Sequence, residues 1–332
     1  MIEVTGVTKT FQVARRSAGF KEALKSFVHR EYQEVRALDD ISFTIGDGEM
    51  VGYIGPNGAG KSSTIKILSG ILTPDKGNCL INGRVPWKER VEHVKDIGVV
   101  FGQRSQLWWD VPILDSYELI RDIYRVKETE YKKKLSELTE LLDLEDILKT
   151  PARQLSLGQR MRCEIGASLL HSPKILFLDE PTIGLDAVSK IAVRSFILEL
   201  NRQHGTTVIL TTHDMQDIEA LTKRILLIGK GKILLDGNLE EVRDKFSKIR
   251  QLTVQYNGML PLMTEGMRLT TTGAQEQSLA GQGVLTIQVD TEILKVSQAI
   301  SYLSSQTDIM DISVAGASLD DVVVGLYKQY EI

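Results

Sequence analysis

One stretch constrains this chain more than any other: Met50 to Leu68, MVGYIGPNGAGKSSTIKIL. It reads as a buried apolar strand, a glycine-rich turn and the start of a helix. Gly55, Gly60, Lys61 and Ser62 satisfy the pattern G-x-x-x-x-G-K-[ST] at the required spacing. Without side chains at Gly55, Gly58 and Gly60, the backbone can curl and aim its N–H groups inward. The helix that follows points the positive end of its dipole at the same spot. Lys61 adds a mobile charge for the β- and γ-phosphates of a nucleotide, and the Ser62 hydroxyl can ligand Mg2+. The expected phosphate cradle is thus Gly55, Pro56, Asn57, Gly58, Ala59, Gly60, Lys61, Ser62 and Ser63.

The 332 residues suffice for one large α/β domain and a small one. A net charge of -4 argues against binding nucleic acid through overall charge, and no nucleic-acid partner is expected. Cys79 and Cys163 form no motif and read as small core residues, which suits a reducing compartment. The start, MIEVTGVTKTF, lacks a basic segment followed by an apolar one, and no run reaches ~18 apolar residues. Any membrane role would go through a partner.

Residues 2–11 alternate like an edge strand. An insertion follows at about 12–34, where Phe20, Leu24, Phe27 and Val28 make an apolar helical stripe and Arg15, Arg16, Lys21, Lys25 and Arg30 a basic side. Such a helix packs on its own domain or meets a membrane surface or partner subunit. Through residue 245 strands alternate with helices, implying a largely parallel sheet, with a helical subdomain at about 104–172. From 246 to 332 the pattern changes to that of a small α+β domain. Its strands are IRQLTVQY, VLTIQV and IMDISVA, its helices TEILKVSQAISYL and LDDVVVGLYKQ, and MTEGMRLTTTGAQEQSLAGQG reads as a polar loop.

KILFLDEP is the second anchor. Ile175 to Leu178 fit a central buried strand, with Asp179 and Glu180 at its C-terminal end, where α/β sheets place ligands. Asp179 can hold Mg2+ through water. Glu180, on the opposite face of the strand, can polarise an attacking water as general base.

With these residues in view, 1–245 resembles the nucleotide-binding subunit of ATP-binding-cassette (ABC) transporters. LSLGQ at 155–159 looks like the family signature LSGGQ, with Leu157 in place of a glycine. Gln103 is similar to the family's Q-loop glutamine, GLDA at 184–187 to its D-loop, and TTHD places His213 as its switch histidine. Phe11 stands where the family stacks a ring on adenine, with Tyr32 as the alternative. The resemblance implies an α/β fold: a P-loop NTPase ABC cassette with a mostly parallel sheet, an antiparallel β subdomain, an inserted helical subdomain and a small C-terminal α+β domain.

It also implies roles. Two cassettes, expected as a homodimer, would close head to tail on ATP and Mg2+. Ser156, Gly158 and Gln159 would meet the facing chain's nucleotide, and Asp186 would link the two sites. Glu180, His213, Gln103 and Lys61 would serve hydrolysis, and Ser62, Gln103 and Asp179 the metal. The membrane partner's coupling helix would enter near QLWWDVPILDSYEL, where Trp108 and Trp109 form part of the groove or belong to the core. The implied function is a peripheral ATPase subunit at the cytoplasmic face of the cell membrane, energising export through a membrane-spanning permease. The alternative is a soluble ABC ATPase acting on ribosomes or nucleic acid.

Overall fold

The computed structural model describes residues 1–14, 32–102, 104–246, 249–273, 282–316 and 319–331. The stripe of the 12–34 insertion and Gln103 lie outside the described residues. Two compact units result, Met1–Gly237 and Asn238–Glu331.

The first unit carries two sheets. Strands β1 (Ile2–Ala14), β2 (Tyr32–Ile45) and β4 (Lys76–Ile81) form an antiparallel three-stranded sheet in the order β2-β1-β4. The N-terminal strand is therefore central, not an edge strand. Ile2 and Val4 alternate into the core, and the register shift between Val4 and Val7 brings Val7 there too; such a pattern is the same whether one neighbour or two lie alongside.

The larger sheet joins β3 (Met50–Ile54), β5 (Ile97–Phe101), β6 (Ile175–Asp179), β7 (Thr207–Thr211), β8 (Arg224–Gly229) and β9 (Lys232–Asn238) in the order β5-β6-β7-β3-β8-β9. The pairs from β5 to β8 are parallel. Its central strands are buried on both faces, which is why Ile175 to Leu178 and Thr207 to Thr211 read as unbroken runs without alternation. Tyr53, Phe177, Ile65 and Leu68 join Ile2, Ile45 and Ile81 in one core cluster beneath the two sheets. Cys79 and Cys163 are buried and free, and burial pushes both thiols up to about 12.

The helices that position functional residues are α1 (Lys61–Leu68), after the phosphate loop, and a helical segment between β5 and β6. That segment holds α3 (Ile113–Tyr124), α4 (Glu128–Leu141) and α5 (Leu157–Leu169), preceded by the short α2 (Arg90–Lys95). Helices α6 (Ala187–His204) and α7 (Met215–Leu221) follow β6 and β7.

The second unit comprises α8 (Leu239–Phe246), an antiparallel sheet, α9 (Val296–Ser304) and α10 (Leu319–Gln329). Its strands β10 (Ile249–Asn257), β11 (Met267–Gly273), β12 (Gln282–Asp290) and β13 (Asp308–Gly316) run in the order β11-β12-β10-β13. Ala299 and Leu303 of α9 pack on Leu252, Val254, Leu285, Ile287 and Val289. Helix α8 belongs here and not to the first unit, because it packs on α10. Strand β11 corrects the reading of residues 263–283 as loop throughout. MRLTTTG offers three β-branched threonines, and an edge strand needs few apolar residues.

Candidate active site

Gly60, the last residue of the phosphate loop, has φ 115° and ψ 0°, a backbone that residues with a Cβ rarely adopt. A Cβ there would also sit 2.6 Å from the Ala37 carbonyl oxygen of β2. Glycine is required on both counts, and β2 forms the wall of the loop. Asn57, Gly58 and Ser62 are exposed, Pro56 and Ser63 half-buried, and Gly55, Ala59 and Gly60 buried. Lys61 opens α1 and is itself buried, with Nζ donating to the Gly55 carbonyl at 2.6 Å and the Pro56 carbonyl at 3.1 Å. Burial pulls its pKa down; the charges of Glu180 and Asp179 oppose that pull.

Those two carboxylates stand at the end of β6. Asp179 accepts from Thr211 Oγ1 at 2.5 Å. Glu180 does not continue the strand onto its opposite face: its φ is 56°, and its N–H donates to the Thr211 carbonyl at 2.9 Å. A left-handed glutamate costs about 1–2 kcal/mol, so the surroundings hold it there. The twist brings Glu180 Oε1 to 3.5 Å from His213 Nδ1, on the segment after β7. The structure thus gathers Lys61, Asp179, Glu180 and His213 at the C-terminal edge of the parallel sheet. Gly102, leaving β5, joins them: its N–H donates to the Asp179 carbonyl at 2.8 Å.

Ser156 and Gln159 cap α5 reciprocally. Ser156 Oγ accepts from Gln159 N at 3.2 Å, and Gln159 Oε1 accepts from Ser156 N at 3.0 Å. Leu157 begins the helix with ordinary negative φ, so this position needs no glycine. A Cβ on Gly184 would lie 2.8 Å from Leu157 Cδ2, and one on Gly158 would lie 2.4 Å from Ser189 Oγ. The start of α5 is therefore packed directly against the Gly184–Ser189 segment. Asp186 caps α6 there, accepting from Ser189 N at 2.9 Å and Oγ at 2.8 Å, bonds that hold its carboxyl below the usual range.

Phe11 pairs with Val35 across the β1–β2 ribbon, and Tyr32 pairs with Ala14 farther out. Leu38, whose side chain reaches Gly60, is three residues from Val35 and six from Tyr32, or ~10 and ~20 Å along the strand. Phe11 is the nearer ring to the loop. Trp108 and Trp109 are half-exposed and outside the core, with the Arg160 guanidinium 5.5 Å over the Trp109 ring.

One group the motifs do not reveal is Asp217 on α7. It is fully buried and accepts from Thr182 and Thr212, and from Arg194 Nε at 2.5 Å. Lys190 Nζ binds the neighbouring Asp214 at 2.5 Å. These bonds tie together the residues flanking Glu180, those flanking His213, and helix α6. The only hint in sequence is that Thr182 and Thr212 sit beside motif residues.

Residues 38–183 match the ABC transporter family. YhcH of Bacillus subtilis, an uncharacterized ABC transporter ATP-binding protein, is 35% identical over 219 residues, 64% of this chain and 70% of that one. The linearmycin resistance ATP-binding protein LnrL of the same organism is 34% identical over 232 residues, 68% and 73% of the two chains. Among solved structures, the dimeric post-hydrolysis state of the ATP-binding cassette MJ0796, bound to ADP and Pi, matches with a TM-score of 0.60. The identity is 26%, and the match covers 72% of this chain and 99% of that one.

Proposed function

Because the chain belongs to the ABC transporter family, as an ATP-binding subunit that hydrolyses ATP, we propose that it energises export through a separate membrane-spanning partner by ATP-driven closure of a cassette homodimer. The observation that carries the chemistry is the pairing of Glu180 with His213 beside Lys61. In this reading the loop N–H groups and Lys61 hold the β- and γ-phosphates, and Phe11 stacks on the adenine. Glu180 polarises the attacking water, while His213 donates toward the γ-phosphate and orients that water. Gln103 senses the nucleotide. Ser156 and the Gly158 N–H reach the facing chain's γ-phosphate with the positive end of α5 behind them, and Gln159 fixes that end as its cap. Asp186 links the two sites.

Ser62, Asp179 and Gln103 are the residues that would hold Mg2+. Their all-oxygen donor set, with Ser62 exposed and Asp179 oriented by Thr211, suits a small hard cation. The ion would neutralise phosphate charge.

Closure of a dimer is supported by the dimeric ADP- and Pi-bound MJ0796 cassette, and export by a relative named for linearmycin resistance. No helix among the described residues is long and apolar enough to cross a membrane, so the proposed place is peripheral, at the cytoplasmic face, against a permease. The test is purification of the tagged chain from detergent-solubilised membranes. A stoichiometric integral membrane protein is the expected companion. Recovery only in the soluble fraction, or with ribosomes or nucleic acid, would move the function to those targets and leave the ATPase chemistry intact.

A further inference from the structure

Glu164 is a buried carboxylate that forms no ion pair among the described residues. It lies on α5, is 4% exposed, and burial raises its pKa. Arg160, one turn earlier, acts on it only through space. A leucine or methionine would fill such a site without the penalty of desolvating a charge. What a carboxylate does there and an apolar side chain cannot is fix hydrogen bonds in direction.

Those bonds all go to one segment. Ser105 Oγ donates to Glu164 Oε1, and Gln106 N donates to Oε2 at 3.1 Å. Gln106 Nε2 donates to the Glu164 carbonyl at 3.0 Å, and Leu107 N donates to Ser105 Oγ at 3.1 Å. The near end of this segment is anchored elsewhere. Gly102 bonds the Asp179 carbonyl, and a Cβ on Gly102 would meet the Glu180 carbonyl oxygen at 2.4 Å. The loop leaving β5 is thus fastened at one end to the backbone of the catalytic carboxylates. Its other end is fastened to the helix whose first turn carries Ser156, Leu157 and Gly158. Gln103 falls between the two anchors in sequence.

We infer that Glu164 is a positioning residue for ATP hydrolysis: it locks the loop after β5 to α5, so that seating of the α5 N-terminus on a facing chain's nucleotide sets the position of Glu180. This rests on the site reading given above. Its bonds go to consecutive residues, Ser105 and Gln106, of a loop whose start packs on the Glu180 backbone, which is the placement a positioning role needs.

The test uses the full chain with Glu164→Gln, which keeps shape but turns an N–H2 toward one of the two donors. Turnover should fall about tenfold, as for residues that orient a reacting group from behind. ATP affinity should stay within about twofold and the melting temperature within a few degrees. Ser105→Ala removes one donor without touching a charge and should lower turnover in the same direction. The double variant should be no slower than Glu164→Gln alone, because both act through one link. Wild-type turnover in Glu164→Gln, or losses that multiply in the double variant and follow the folded fraction, would overturn the role. Turnover that persists in Glu180→Gln would overturn the site reading beneath it and the role of Glu164 with it.

Discussion

With Lys61 replaced by alanine, the Gly55 and Pro56 carbonyls lose their shared donor and the proposed phosphate site loses a cation. Hydrolysis should drop about a hundredfold or more, measured as phosphate release, with nucleotide affinity weakened in a direct binding titration. Phe11→Ala should weaken adenine binding by ~1 kcal/mol; an unchanged dissociation constant would hand that role to Tyr32 or another ring. The motif residues were legible because their chemistry is written in adjacent letters: a glycine loop, a lysine and a hydroxyl need no distant partner to be recognised. Asp217 was not legible, since Thr182 and Arg194 lie 35 and 23 positions away in the chain. The bend at Glu180 was hidden for another reason. A left-handed backbone leaves no mark on a sequence unless glycine or asparagine occupies it.

Among the elements, the end of α5 makes a pH-dependent prediction. His171 stacks on Tyr124 with ring centroids 3.9 Å apart, and its Nε2–H donates to the Ile97 carbonyl at 2.8 Å. Its Nδ1 is buried without a partner, and burial lowers its pKa from 6.5 to about 4. The unfolded chain therefore takes up a proton between these values that the folded chain refuses. This stability is full above pH 6.5 and is lost as pH falls toward 4. Between pH 7 and 5 the loss should be about 2 kcal/mol. Denaturant melts should show that loss in the wild type and not in His171→Phe, which keeps a ring on Tyr124; parallel pH slopes in the two proteins would refute the assignment. The parallel strands were readable as apolar runs bounded by turn residues. Strand β11 was not, because a Thr-rich edge carries its propensity in Cβ branching and not in hydropathy. The rank of β1 within its sheet was not readable either, since alternation reports which face is buried and not how many neighbours are bonded.

For the whole molecule, hydrolysis and assembly should separate in Glu180→Gln. The variant keeps every phosphate contact proposed for the loop and lacks the proposed base. With ATP and Mg2+ it should elute from gel filtration as a dimer, while the wild type returns to monomer as ATP is consumed. A variant that binds ATP and stays monomeric would rule out closure as proposed. The same residue sets a different tension. Its φ of 56° suits glycine better than any side chain, so Glu180→Gly should relieve about 1 kcal/mol and raise the melting temperature by ~2–4 °C, while hydrolysis is lost. Robustness and activity therefore pull in opposite directions at this one position. A library of this chain screened for heat resistance alone should enrich for subunits that bind nucleotide, outlast the wild type and do no work.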